Sequence, residues 1–88
     1  MDIHIISKQI RDDTGRTRIF SYFLTVEAVC SGTFCWENYG VRITEEGVDS
    51  VCIPGLTTSA TRIDELLTIL TDNVVGPVGL RDVVDDWM

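Results

Sequence analysis

Basic residues are scarce in this chain. Seven Lys and Arg stand against fourteen Asp and Glu in 88 residues, a formal net charge of −7. A nucleic-acid binder needs a basic surface to displace counterions from phosphates, so a nucleic-acid partner is not expected. An anionic membrane surface is opposed on the same ground. Long apolar runs are also missing. None approaches the roughly 18–20 residues that span a bilayer. Asp2 and His4 occupy the N-terminus, where a secretory signal carries Lys or Arg, so a signal peptide is not expected. Histidine occurs once, which leaves His4 as the only base for Cys–His catalysis. No G-x-x-x-x-G-K, G-x-G-x-x-G or G-x-S-x-G is present, so neither a phosphate cradle nor a nucleophile elbow has support. What remains is an ordinary folded composition, 44% hydrophobic and 24% charged. A disordered chain would be poorer in apolar residues. The chain is expected to be a single domain over residues 1–88.

The charge is uneven. Lys8, Arg11, Arg16, Arg18 and Arg42 balance Asp2, Asp12, Asp13, Glu27 and Glu37 in the first half. The second half holds the other nine acids and only Arg62 and Arg81, so the whole net charge sits there. The basic residues leave room for a small local patch around the first hairpin. Three cysteines, Cys30, Cys35 and Cys52, are an odd count. Without a signal peptide they point to reduced thiols and a cytoplasmic location. Free cysteine is usually a small buried hydrophobe.

Turn signals fall at 12–15, at Ser31-Gly32, at 45–47 and at Pro54-Gly55. Between them lie four strand-like runs, 3–11, 17–30, 34–44 and 48–53, rich in β-branched and aromatic residues. Short turns join neighbours antiparallel, which predicts a four-stranded meander over 1–54. With Ser31-Gly32 as a two-residue turn, Cys30 faces Thr33, and the pairs continue Ala28/Cys35, Val26/Glu37, Leu24/Tyr39, Tyr22/Val41 and Phe20/Ile43. Nine of these ten residues suit one buried face, and a one-residue slip would mix the faces. Glu37 is the poor fit, either a sheet margin or a site. The other face pairs Phe23 with Gly40, an aromatic over a strand glycine. In the first hairpin Ile5 pairs with Tyr22 and Ile3 with Leu24. The third hairpin is open, with Val51 and Ile53 facing the core in one register, Val48 and Cys52 in the other.

After Pro54-Gly55 the period changes. Ile63, Leu66, Leu67 and Leu70 form one helical stripe. Thr58 or Ser59 can cap its start, Thr61-x-x-Asp64 fits a capping box, and Asn73 is a stop. Pro77 interrupts the helix, so 74–78 is a loop. Leu80, Val83, Val84 and Trp87 make a second stripe, too short to stand alone. A helical hairpin over 57–88 is therefore expected to pack on the sheet, and the fold class is α+β.

Thr57-Thr58-Ser59, Ile63 to Leu67, Asn73-Val74, Pro77-Val78, Leu80 and Asp82 to Asp86, with the strand segments Tyr22 to Val26 and Tyr39-Gly40-Val41, carry a resemblance. The chain resembles a small bacterial family of uncharacterised proteins. That family often has threonine before the proline and histidine after the valine. Gly76 and Gly79 stand there instead, so no role of those side chains carries over. The resemblance implies a compact cytosolic domain and brings no activity, substrate or cofactor.

Three functional classes are open. The favoured one is a small cytosolic interaction or regulatory domain without catalytic activity. It would bind a protein partner, or itself, through an exposed patch on the outer sheet face formed by Trp36, Phe23 and Phe34. An enzyme is the second class. A cleft holding Glu37 and Tyr39 would raise it. The third is a metal or thiol module built from Cys30, Cys35 and Cys52, with His4 completing a zinc count. The spacing lacks C-x₂-C, so no metal and no cofactor is expected. A Cys30–Cys35 disulfide is disfavoured, because this register makes the two residues diagonal neighbours. Asp82, Asp85 and Asp86 read as a solvated polar face.

Overall fold

The computed structural model describes residues 1–88. Four strands form one antiparallel sheet in the order of the chain: β1 (Asp2–Arg11), β2 (Thr17–Ser31), β3 (Phe34–Glu45) and β4 (Asp49–Thr57). Two helices follow, α1 (Ala60–Asp72) and α2 (Leu80–Trp87), joined through a single 3₁₀ turn at Pro77–Gly79. The α+β meander with two C-terminal helices is as the periodicity predicts.

The strand faces are as expected at the centre of the sheet. Ala28, Cys30, Cys35 and the β1 residues Ile3 and Ile5, expected on the buried face, are exposed because no helix closes over them. Phe20, Tyr22, Val41 and Ile43 are buried on one face, under Ile63, Leu66, Leu67 and Leu70 of α1 and Leu80 and Val84 of α2. Both helices lie on that face. The opposite face is a solvated sheet surface: His4 bonds Ser7, Ser7 bonds Ser21, and Arg42 pairs with Asp2. The Tyr22 hydroxyl reaches across the core and donates to the Val75 carbonyl at 2.9 Å. It ties the loop after α1 to the centre of the sheet.

Register departs from expectation in the first two hairpins, and the third takes one of the two registers left open. In β2/β3 the pairs are Cys30/Cys35, Ala28/Glu37, Val26/Tyr39, Leu24/Val41, Tyr22/Ile43 and Phe20/Glu45. The slip is two residues, so every side chain keeps its face while its partner changes. The turn is Gly32-Thr33. Gly32 takes φ +62° at the first central position, where a hairpin of the II′ kind demands glycine. In β1/β2 Ile3 faces Leu24 as expected, but Ile5 is the extra residue of a bulge and Ile6 faces Tyr22. In β3/β4 Val51 and Ile53 are the pair that turns to the core.

Pro54-Gly55 is not the boundary it looks like. Both residues lie inside β4, which runs on to Thr57. Between Val41/Ile53 and Tyr39/Thr57, β3 spends only Gly40 while β4 spends Pro54, Gly55 and Leu56. An edge strand tolerates proline at such a bulge because no ladder bond is lost there. Ser59 caps α1, its hydroxyl accepting from the Arg62 amide, so the capping box at Thr61 is unused. Asn73 ends the helix, and its side-chain amide donates to the Ile69 carbonyl. Val74 then takes φ 49°, with Val75 N–H donating to Leu70 O and Val74 N–H to Thr71 O. This is a Schellman cap with valine in the position that favours glycine. Packing of Val74 on the core and the Tyr22 bond to Val75 hold it there.

Glu45 is the one buried acid. Arg18 donates to both its oxygens, at 3.2 and 2.6 Å, while lying over the Phe20 ring. The bond from Arg18 holds the Glu45 carboxyl below the usual glutamate value of 4.5. A depressed folded value means the pair stabilises the fold above the unfolded value and loses that contribution as pH falls through the folded one. Glu45→Gln should therefore be less stable than the parent at neutral pH, with the gap closing below about pH 4.5. Urea denaturation across a pH series checks this. A gap that stays constant in acid would mean the carboxylate charge is irrelevant.

Candidate functional site

The last neighbours of the β2/β3 hairpin are Met1, which exchanges two backbone bonds with Val26, and Thr57, opposite Tyr39. Beyond them, Glu27 to Asn38 runs on as a two-stranded ribbon with no strand beside it. This arm gives the molecule its elongated 55 × 24 × 17 Å form. The radius of gyration is 14.2 Å, against about 12 Å for a compact chain of this length.

A two-stranded ribbon is marginal by itself in water. Here Cys30 and Cys35 are joined by a disulfide one step back from the turn. The expectation of three free thiols is corrected. The two-residue change of register puts the cysteines directly opposite each other, with Cα atoms 4.1 Å apart, where they had read as diagonal. A pair one step behind a two-residue turn is the closely spaced, non-hydrogen-bonded kind, which brings the Cβ atoms together. Reduction should raise amide exchange across 27–38 by roughly tenfold or more, because closing even a short loop is worth about 2 kcal/mol. Exchange at Tyr22 and Leu66 should not change. Equal acceleration in arm and core would show that the disulfide supports the whole fold instead.

The arm carries its apolar residues outward. Phe34 is 75% exposed and Trp36 41% exposed. Trp36 faces Val29 on the outer side of the ribbon. At the base lies an open cleft of about 390 Å³ lined by Ala28, Cys35, Trp36, Glu37, Tyr39 and Thr58. Glu37 and Glu27 are the only charged residues of the arm, and no ion pair reaches either. An aromatic-lined cleft with a free carboxylate suits a cationic group.

The expected patch divides in two. Trp36 and Phe34 are together on the arm. Phe23 sits six residues back along β2, about 20 Å away, where it packs edge-on against the His4 ring at 5.2 Å and faces Arg42. Cys52 faces Arg42 on the outer side of β4 and is free, roughly 23 Å along the sheet from Cys35. The three sulfurs do not converge, and no group of three or more His, Cys, Asp or Glu is placed to hold a metal. His4 hydrogen-bonds Ser7 at 2.8 Å on the open face, in none of the clefts. The arm cleft does bring Glu37 and Tyr39 together. Its only sulfur is tied into the disulfide and it holds no histidine, so it contains no Cys–His pair. Trp87 is half-buried beneath the Arg62 guanidinium, 4.5 Å from its ring, and Asp82, Asp85 and Asp86 are exposed.

Ala28 and Thr58 were not among the candidates read from sequence, and Cys35 was one only as a free thiol or metal ligand. Gly32-Thr33 as the turn dipeptide would have exposed the cysteine pairing, since glycine leads a II′ turn. Thr58 reaches the cleft only because β4 outlasts its Pro-Gly pair.

No helix is long and apolar enough to cross a membrane. Neither the curated proteins nor the solved structures include a match to the chain. A family model does match, over residues 1–88, and the chain accordingly belongs to the family of unknown function DUF6514.

Proposed function

We propose that this protein is an interaction module whose binding element is the β2/β3 arm. One observation carries the reading: Glu27 to Asn38 stands clear of the core, braced by a disulfide, and presents Phe34 and Trp36, which the monomer leaves largely exposed. Folding alone gives no reason to put aromatics there, whereas aromatic residues are the types enriched at binding hot spots. The outer face of the sheet body is polar, so the surface is the arm and not the whole face. With Cys30 and Cys35 joined, the argument from free thiols to a cytoplasm falls away. A structural disulfide is at home where thiols are kept oxidised.

The test is a photo-crosslinking residue in place of Phe34, used in the native cell, with the same residue at exposed Val78 as control. A discrete adduct is expected at 34, absent at 78 and lost when Trp36→Ala is added. Trp36→Ala should change monomer stability by no more than about 0.5 kcal/mol, as for other surface sites. No adduct at 34, or one indifferent to Trp36, would sink the reading.

A further inference from the structure

The cleft at the base of the arm lies in line with β4. That strand pairs with β3 as far as Thr57/Tyr39, then turns at Thr58 into the Ser59 cap of α1. β3 continues from Asn38 to Phe34 with nothing on its β4 side. The lane that a longer β4 would occupy is open, and the cleft beside it is lined by four residues of β3, by Ala28 of β2 and by Thr58.

Hydrogen-bond parity shows which groups face the lane. Val26 gives both its N–H and its C=O to Met1, so it points away from β3. Val26/Tyr39 is therefore a non-hydrogen-bonded pair. Antiparallel pairs alternate, so Ala28/Glu37 and Cys30/Cys35 are of the same kind. The N–H and C=O of Glu37 and of Cys35 thus point outward into the lane. Four backbone groups at strand spacing are a template for one more strand. The disulfide holds β2 and β3 of that template in register before anything binds, which lowers the ordering cost of association.

We infer that this lane receives an extended, basic segment of a partner protein as an added strand along β3. The inference rests on the reading of the arm as the interaction element. Strand addition draws affinity from main-chain bonds and specificity from alternate side chains. The side chain that an added strand places beside Glu37 enters the cleft, between the carboxylate and the Tyr39 ring on the same face of β3. Arg or Lys satisfies both, by charge pairing across the strands and by its cation over an aromatic face. A second copy of this chain is the poorer occupant. Its own β3 edge offers Glu37 and no cation, and each copy carries −7.

The probes are short synthetic peptides that alternate valine and threonine around one central residue, titrated into the isotope-labelled, oxidised protein and followed by amide NMR. The arginine-centred peptide should shift and protect the Cys35 and Glu37 amides and leave those of Ala28 and Cys30 unprotected. It should bind about tenfold tighter than the glutamate-centred peptide, the combined worth of one cross-strand charge pair and one cation–aromatic contact. Glu37→Gln, an exposed ribbon position, should bring the two peptides close to equal. N-methylation of the peptide nitrogens that face β3 should abolish binding. Absence of binding at millimolar arginine peptide overturns the proposal, and so does binding indifferent to N-methylation. Shifts centred on Val29, Phe34 and Trp36 in place of the lane amides would overturn strand addition while leaving the arm as the interaction element. A concentration-dependent dimer of the free protein that protects the same lane amides would assign the lane to a second copy and overturn the basic partner.

Discussion

Gly40→Ala should destabilise the protein by about 3 kcal/mol, the upper end of the usual cost of overpacking. At an ordinary strand position the same change is favourable by roughly 0.4–1 kcal/mol, because alanine restricts the unfolded chain. The sign reverses here because β4 bulges over this residue. A Cβ on Gly40 would lie 2.6 Å from the Pro54 Cα, 2.6 Å from the Thr25 hydroxyl and against the Ile53 carbonyl oxygen. Two of those three obstacles are backbone, which cannot rotate away. Relief would require the bulge to lift from β3, with loss of the Tyr39/Thr57 pairing that ends the sheet at the foot of the arm. Chemical denaturation gives the magnitude, and hydrogen exchange at Leu56 and Thr57 locates the damage. A stability change under 0.5 kcal/mol would show that β4 is free to move off Gly40.

Leu66→Ala should cost about 4 kcal/mol, and Leu67→Ala nearer 2, within the known range for core leucines. The two residues are adjacent on the same helical stripe, and sequence offers no way to rank them. Leu66 is 0% exposed, at the centre of the cluster with Tyr22, Val41 and Leu80. Deleting its side chain leaves a closed cavity. Leu67 is 6% exposed and borders an open groove of about 240 Å³ shared with Ile5 and Ile6 of β1. Water can enter that groove and neighbours can relax into it, so the cavity part of the cost shrinks. Parallel urea titrations of both variants decide the order. Equal losses would mean that the groove closes in solution and β1 packs fully on α1.

The same division between near-sequence pattern and distant contact runs through the whole molecule. Alternation in Phe20, Tyr22, Leu24 and Val26 marked the buried face because strand side chains alternate by chemistry alone. That signal has a period of two, so it was blind to a two-residue slip of the partner strand. The slip was enough to turn Cys30 and Cys35 from diagonal neighbours into a bonded pair. The i, i+3, i+4, i+7 spacing of Ile63, Leu66, Leu67 and Leu70 located α1 for an equally local reason. Pro54-Gly55 misled because a proline-glycine pair marks a turn and an edge bulge equally well, and the choice between them rests on the close approach of Gly40.

Local chemistry in the sequence thus determined the four strands, the two helices, the capping of α1 by Ser59 and Asn73, and which side chains of the sheet body turn inward. Each of those depends on residues a few positions apart. Tertiary structure decided the placement of both helices on one face, the end of β4 at Thr57 while β3 runs on, and the separation of Phe23 from Trp36 and Phe34. These are relations between segments distant in the chain, set by how the faces pack and where pairing stops. The arm and its open lane belong to this second kind, because they exist only as the difference in length between paired strands.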